Sequence, residues 1–268
     1  MQQLINIIKS ALNENPKLPF SAYSSMKEQR IFNVPVINPM LICVLDGSKH
    51  LGRQSEVICR PGSFIFLSNN PNIDMRNIPS GNEYFALLIE FEDRDYDNLK
   101  CETHNREKYF QGEIGSILEL TLQQFIEWSL HVSPDMWHIR RQEILHTLFH
   151  LGYPQVCGSM VSQRISHRIH SLISKDISAN WRTDQLASML AMSESTLRRK
   201  LNDEGLSVQL IKENVRLGYG LHLVQSSSES IGFIAEQCGY SSQSRFTEKF
   251  KQLFGITPSE LRKTRLTD

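Results

Sequence analysis

Apolar positions fall into two regimes along the chain. Between residues 29 and 92 they come in short runs rich in Ile, Val, Phe and Leu, at 31–37, 40–45, 56–59, 63–67 and 84–91. Asp46-Gly47, Pro61-Gly62, Asn69-Asn70-Pro71 and Pro79-Ser80-Gly81 interrupt them. Short apolar runs bounded by turn residues predict β-strands, and this many at close spacing predict a small barrel or sandwich. The polar, irregular stretch 93–111 ends that regime.

Helical spacing then takes over. Ile117, Leu118, Leu120, Leu122, Phe125 and Ile126 lie on one stripe of a helix over 115–130. Pro134 opens a second helix with Trp137, Ile139, Ile144, Leu145, Leu148 and Phe149, which stops near Gly152-Tyr153-Pro154. Two apolar helices behind a β-domain either cover its open face or pair with a second subunit. A Gly-, Pro- and Ser-bearing stretch at 152–161 reads as a linker. The expected domains are therefore 1–151 and 162–268, the second helical throughout.

Two helix-turn-helix patterns fill the last ninety or so residues. In the first, Thr183 or Asp184 caps a helix with Leu186, Ala187 and Leu190 inside. Ala191-Met192-Ser193 turns the chain, and Ser193 caps a second helix whose Leu197 and Leu201 point inward. In the second, Ile231, Ile234, Ala235 and Cys238 form the first helix face and Gly239 supplies a positive-φ turn. Ser241 or Ser242 then caps a helix with Phe246, Phe250 and Leu253 inside, and Thr257 with Glu260 makes a capping box for a last short helix. A helix over 208–225, carrying Gly218 and Gly220 around Tyr219, connects the units. Glycines inside a helix suggest close packing against a neighbour, or else a flexible spacer.

The run Ile231-x-x-Ile234-Ala235-x-x-x-Gly239-Tyr240-x-Ser242-x-Ser244-x-Phe246-x-x-x-Phe250-Lys251-x-x-x-Gly255-x-Thr257-Pro258-x-x-x-Arg262 resembles the signature of the AraC/XylS transcription regulators. The likeness extends back through the first unit and covers about a hundred C-terminal residues. It implies a seven-helix DNA-binding domain with two recognition helices held about one DNA turn apart by the connecting helix. Residues 1–158 resemble the cupin-like ligand and dimerisation region of that family in pattern, as at Pro61-Gly62-Ser63-Phe64. The fold expected is thus an α+β N-terminal cupin-like β-barrel with a helical dimerisation segment, followed by an all-α domain with two helix-turn-helix units.

Base reading is assigned to Ser195, Arg198 and Arg199 in the first unit and to Gln243, Ser244, Arg245 and Glu248 in the second. Arginine forks match the two major-groove acceptors of guanine, a discrimination of roughly 1–3 kcal/mol. Lys200, Lys249, Lys251 and Arg262 are the phosphate candidates, setting register without reading sequence. Two positions depart from the family's habit. Glu248 stands where Arg is common, and Ser195 where large or aromatic side chains are frequent. Base preference therefore does not transfer from relatives.

Charge supports this division modestly. The 268 residues carry 29 basic and 29 acidic side chains, yet from Ser159 onward there are fifteen basic and eleven acidic ones, leaving fourteen and eighteen before. The basic half is where phosphate would bind. Ile42, Val44, Ile58, Phe64, Phe66, Leu87 and Ile89 line the expected barrel, enclosing an apolar ligand or simply filling it.

Other chemistry is missing. The strand region holds only His50 and no His-x-His pair, so the ligands of an oxygen-activating cupin metal enzyme are absent. His146 and His150, with Glu143 a turn before, lack the Glu that follows the first His in a zincin, and read as packed or interfacial. Five scattered cysteines, Cys43, Cys59, Cys101, Cys157 and Cys238, form no C-x-x-C, which argues against a disulfide framework or zinc site and fits a reducing cytosol. No run of 18 apolar residues predicts a membrane span, and the first 17 residues are too weakly apolar for a signal peptide. The aromatic residues of the C-terminal half fall on core faces, unlike the exposed stacking groups of an RNA binder. The expectation is a cytoplasmic, non-enzymatic, cofactor-free transcription regulator, an activator rather than a repressor or dual regulator. Its partners would be promoter DNA, RNA polymerase, a second copy of itself, and a small-molecule or protein effector.

Overall fold

Short apolar runs bounded by turns make the central N-terminal segments strands buried on both faces, and the face each side chain takes decides what it packs against. The computed structural model describes residues 1–15, 17–68, 70–81, 83–97, 99, 109–159 and 164–265. The chain divides into two units, Met1–Val161 together with Thr264–Asp268, and Ser162–Lys263.

The first unit begins with helix α1 (Gln2–Glu14), whose Leu4, Ile5, Ile8 and Ala11 are buried. Nine strands follow among the described residues: β1 (Ser21–Ser25), β2 (Gln29–Val36), β3 (Met40–Asp46), β4 (Ser48–Leu51), β5 (Val57–Cys59), β6 (Ser63–Leu67), β7 (Asn70–Ile78), β8 (Tyr84–Glu90) and β9 (Tyr109–Glu113). They form two antiparallel sheets, ordered β1-β8-β3-β6-β9 and β2-β7-β4-β5. The sheets stack as an open sandwich and do not close into the expected barrel. Helices α2 (Ser116–Ser129) and α3 (Trp137–His150) lie with α1 on the outer face of the five-stranded sheet.

This layering corrects the expected ligand lining. Ile42 and Val44 point between the sheets, into a core with Leu51, Val57, Ile65, Leu67 and Met75. Phe64, Phe66, Leu87 and Ile89 point to the opposite face, into a core with Leu4, Ile8, Leu118, Phe125 and Ile144. Ile58 faces neither, being 48% exposed. The register pairs Leu41 with Phe66 and Ile89 and Cys43 with Phe64 and Leu87, so those four side chains take the face opposite Ile42 and Val44, and the seven cannot line one cavity.

Strands β1, β4, β7 and β9 escaped the apolar pattern because polar side chains dominate them, even at buried positions such as Ser25 and Lys49. Asn70-Pro71, expected in a turn, begins β7. Residues 154–159, expected in the linker, form a 3-10 helix, and its Val156 and Cys157 are buried in the first core. Residues 160–163, which include the rest of the linker and the expected start of the second domain, lie outside the described set, as does Cys101. Cys157 is disulfide-bonded, against the expectation, whereas Cys43, Cys59 and Cys238 are free. Pairing of distant cysteines depends on tertiary proximity, which scattered spacing does not reveal.

Helices α2 and α3 cover the sheet with Leu118, Leu122, Ile144, Leu145 and Leu148, and leave Ile117, Leu120 and Ile139 exposed. Arg141 and Asp95, both buried, pair at 2.7 Å and fasten α3 to the 3-10 turn Asp93–Tyr96. Glu143 pairs with Arg140 at 2.5 Å, while His146 is half-buried and His150 exposed. No helix among the described residues is long and apolar enough to cross a membrane.

The second unit holds α4 (Ile165–Ser174), α5 (Thr183–Met189), α6 (Glu194–Asp203), α7 (Val208–Ser226), α8 (Ile231–Gln237), α9 (Gln243–Phe254) and α10 (Pro258–Lys263). Among the described residues these match the seven helices the family resemblance implied.

Candidate nucleic-acid interface

Helix α6 is set by its cap and its two inward leucines. Ser193 Oγ accepts from the Thr196 amide at 3.2 Å, and Leu197 and Leu201 are buried among Ile169, Leu186, Ile211 and Val215. The α5–α6 turn places Ala191 at φ +54°, a left-handed conformation that costs a non-glycine residue about 1 kcal/mol or more. At the start of α5 the N-cap is Arg182 rather than Thr183 or Asp184, and Gln185 Oε1 accepts its amide at 3.1 Å. Glu204, just past α6, accepts from the amides of Ile165 and Ser166 at 2.9 and 3.2 Å and so caps α4 across the unit.

Helix α9 repeats the arrangement with a glycine in the turn. Gly239 has φ +73°, and Ser242, not Ser241, is the cap, accepting from the Arg245 amide at 3.3 Å. Phe246, Phe250 and Phe254 are fully buried in a ladder with ring spacings of 5.5 and 4.6 Å, while the expected Leu253 is only half-buried. Gly255 ends the helix at φ +75°, and Thr257 and Glu260 exchange hydrogen bonds of 2.9 and 3.2 Å as a capping box. Burial pushes the Cys238 thiol up to about 12, so it behaves as packing material. Gly220 of α7 resolves as a close approach: a Cβ there would stand 2.7 Å from the Phe246 ring and 3.2 Å from Cys238 Sγ.

Ser195, Arg198, Arg199 and Lys200 are all exposed on α6. Ser195, Arg198 and Arg199 share one face by i, i+3 and i+4 spacing, and Lys200 stands beside it. Arg198 leans on Glu194 at 3.2 Å, an exposed pair that a base edge can replace. On α9, Gln243, Ser244, Arg245, Glu248 and Lys251 are exposed.

Two phosphate candidates are occupied instead. Lys249 is half-buried and pairs with Glu213 of α7 at 2.9 Å. Arg262 donates to the Glu229 carbonyl before α8, its Nε and Nη2 are buried, and desolvation holds its pKa below the usual arginine value. Sequence reasoning missed α7 as a contributor: Gln209 and Lys212 line clefts on both sides, one with Arg198 of α6 and the other with Arg245 and Lys249 of α9. The available signal was the basic pair Lys212 and Arg216, one turn apart.

Two capped helices, each the second of a helix-turn-helix pair and each with its polar N-terminal half exposed, define a helix-turn-helix protein. A family model described as a helix-turn-helix domain matches residues 186–264. This region is similar to the DNA-binding domains of AraC/XylS-type regulators. The urease operon transcriptional activator of Escherichia coli is 36% identical over 101 residues, 38% of this chain and 33% of that protein. The transcriptional regulator AdiY of Escherichia coli (strain K12) is 31% identical over 99 residues, 37% and 39% of the two chains. The chain thus matches between a third and two fifths of the length of these relatives. Among solved structures, unsaturated fatty acid bound ToxT of Vibrio cholerae has a TM-score of 0.64 at 16% identity, over 92% of this chain and 95% of that one. ToxT of Vibrio cholerae O395 has a TM-score of 0.63 at 17% identity, over 95% and 100%. That likeness shows a shared two-domain fold, a β-domain followed by a helical one.

Proposed function

We propose that the chain is a sequence-specific, non-enzymatic regulator of transcription that lays α6 and α9 in successive major grooves. The observation that carries this is the exposure of Ser195, Arg198 and Arg199 on one capped helix and Gln243, Ser244 and Arg245 on the other, in one helical unit. Arg198 and Arg245 read bases, Ser195, Arg199, Gln243, Ser244 and Glu248 refine the choice, and Lys200 and Lys251 hold phosphate. Lys249 serves phosphate only on leaving Glu213, and Arg262 serves the fold.

Activation is favoured over repression by the printed role of the urease operon relative, and it would act through RNA polymerase. A homodimer is supported by the exposed Ile117, Leu120 and Ile139 on α2 and α3. The fatty acid in one ToxT structure makes an apolar effector the first small molecule to try, with a protein effector as the second reading. Promoter DNA as partner favours a cytoplasmic location, and the compact helical unit from Ser162 favours a domain border near 162, with residues 154–159 kept by the first domain rather than a linker.

Selection of bound duplexes from a random library by the full chain tests the central reading. Recovery of shared sequence elements is expected. Equal retention of all duplexes, and of RNA, would defeat it.

A further inference from the structure

Lys212 and Arg216 stand one turn apart on α7, and both reach the backbone that leads into α5. Lys212 Nζ donates to the Trp181 carbonyl at 2.7 Å. Arg216 donates from Nε to Ile177 at 3.2 Å, and from Nη2 to Ala179 at 2.9 Å and Ser178 at 3.4 Å. The same guanidinium lies against the turn of the second helix-turn-helix unit. A Cβ built on Gly239 would stand 2.9 Å from Arg216 Nη2 and 3.0 Å from the Ser178 carbonyl. Gly239 therefore has two reasons to be glycine, its φ of +73° and this approach.

Three segments meet at that guanidinium: the approach to α5, the helix α7, and the α8–α9 turn. Elsewhere each unit holds α7 through apolar packing, the first by Leu197 and Leu201 against Val208, Ile211 and Val215, the second by Phe246 against Gly220. Apolar contacts are non-directional. Hydrogen bonds from a planar fork to three consecutive carbonyls add a direction and an angle to them. On the far side of the 240 Å³ cleft beside it, the Lys249–Glu213 pair ties α9 to the same stretch of α7.

We infer that Arg216 is a positioning residue for DNA recognition: it joins the two helix-turn-helix units so that α6 and α9 keep one separation and angle, and the chain thereby selects sites by the spacing of their two elements. The inference rests on the DNA-binding reading above. Moving one element by a base pair shifts it by about 3.4 Å and turns it by about 34° around the duplex, so a rigid joint converts geometry into selectivity.

The test compares full-length wild type with Arg216→Lys by duplex selection, with thermal midpoints measured alongside. Lysine keeps the charge but presents one compact ammonium that cannot serve the same three carbonyls and the turn. Wild type should return two elements at one spacing, with spacings one base pair longer or shorter depleted about tenfold or more, the scale of a mismatch in a site. Arg216→Lys should return the same elements with that depletion reduced to about threefold or less. A merely structural role would lower the midpoint and the overall affinity while leaving the spacing preference intact, and that result in the folded variant overturns the inference. Should Arg216→Lys fail to fold, Arg216→Gln, whose short side chain ends in one amide donor group, decides instead: relaxed spacing supports the joint and unchanged spacing overturns it. Wild type returning no shared elements would defeat the DNA-binding reading rather than this one.

Discussion

Replacing Gly220 by alanine separates close packing from flexibility in α7. In an unhindered helix the change would stabilise by about 1 kcal/mol, since alanine loses less backbone entropy. Here the added methyl would stand 2.7 and 2.9 Å from two atoms of the Phe246 ring and 3.2 Å from Cys238 Sγ. The ring has no free direction: it is fully buried, with Tyr240 at 5.4 Å and Phe250 at 5.5 Å. Overpacking of this kind costs typically 1–3 kcal/mol. The net expectation is a loss of up to about 2 kcal/mol, confined to the second helix-turn-helix unit. Amide exchange resolved by peptide reads that unit apart from the β-domain, and peptides from α8 and α9 should exchange faster, by up to about 30-fold. Slower exchange there, the signature of an unhindered glycine-to-alanine change, would refute the close-approach argument and restore the flexible spacer.

Arg198→Ala or Arg245→Ala should relax preference at particular base pairs, whereas Lys251→Ala should weaken all duplexes alike and flatten the salt slope by about one unit; equal losses on every sequence for both kinds would contradict the roles. Ala191→Gly should raise stability of the helical unit by about 0.5–1 kcal/mol in urea unfolding, because relief of the left-handed strain exceeds the added freedom of the unfolded chain. Lys49 is buried, donates to Asn77 Oδ1 at 2.8 Å, and burial lowers its pKa to about 8. Its folded value lies below the unfolded one, so the unfolded chain binds more protons between pH 8 and 10.5, and the stability of the β-domain should rise through that window by an amount on the order of 3 kcal/mol from this group. Subtracting the pH profile of Lys49→Met isolates that rise, and identical profiles would remove its basis.

The recognition elements were legible because they are local. A serine followed by a helix with i, i+4 leucines, or with phenylalanines at 246 and 250, carries its cap and its buried face within a dozen residues. Outward positions follow from inward ones, so the exposure of Ser195, Arg198, Arg199, Gln243, Ser244 and Arg245 is readable from the sequence. Arg262 was misjudged for the opposite reason. Whether a basic side chain at a helix end faces DNA or a carbonyl 33 residues earlier is not a local property.

The β-domain divides along the same line. Apolar runs gave five of its strands, but polar side chains hid β1, β4, β7 and β9, whose identity depends on neighbours supplying the hydrogen bonds. Burial of Phe64 and Phe66 was readable, yet only the sheet order shows that they face helices while Ile42 and Val44 face the second sheet. The amino-acid sequence by itself determined helices α5 to α10, the serine caps of α6 and α9 and the residues those two expose, since these rest on interactions within a few residues. Tertiary structure alone decided that Arg216 meets Gly239, that Gly220 admits a phenylalanine ring and that Lys249 turns to Glu213, because each joins side chains or turns brought together only by the packing of helices distant in the chain.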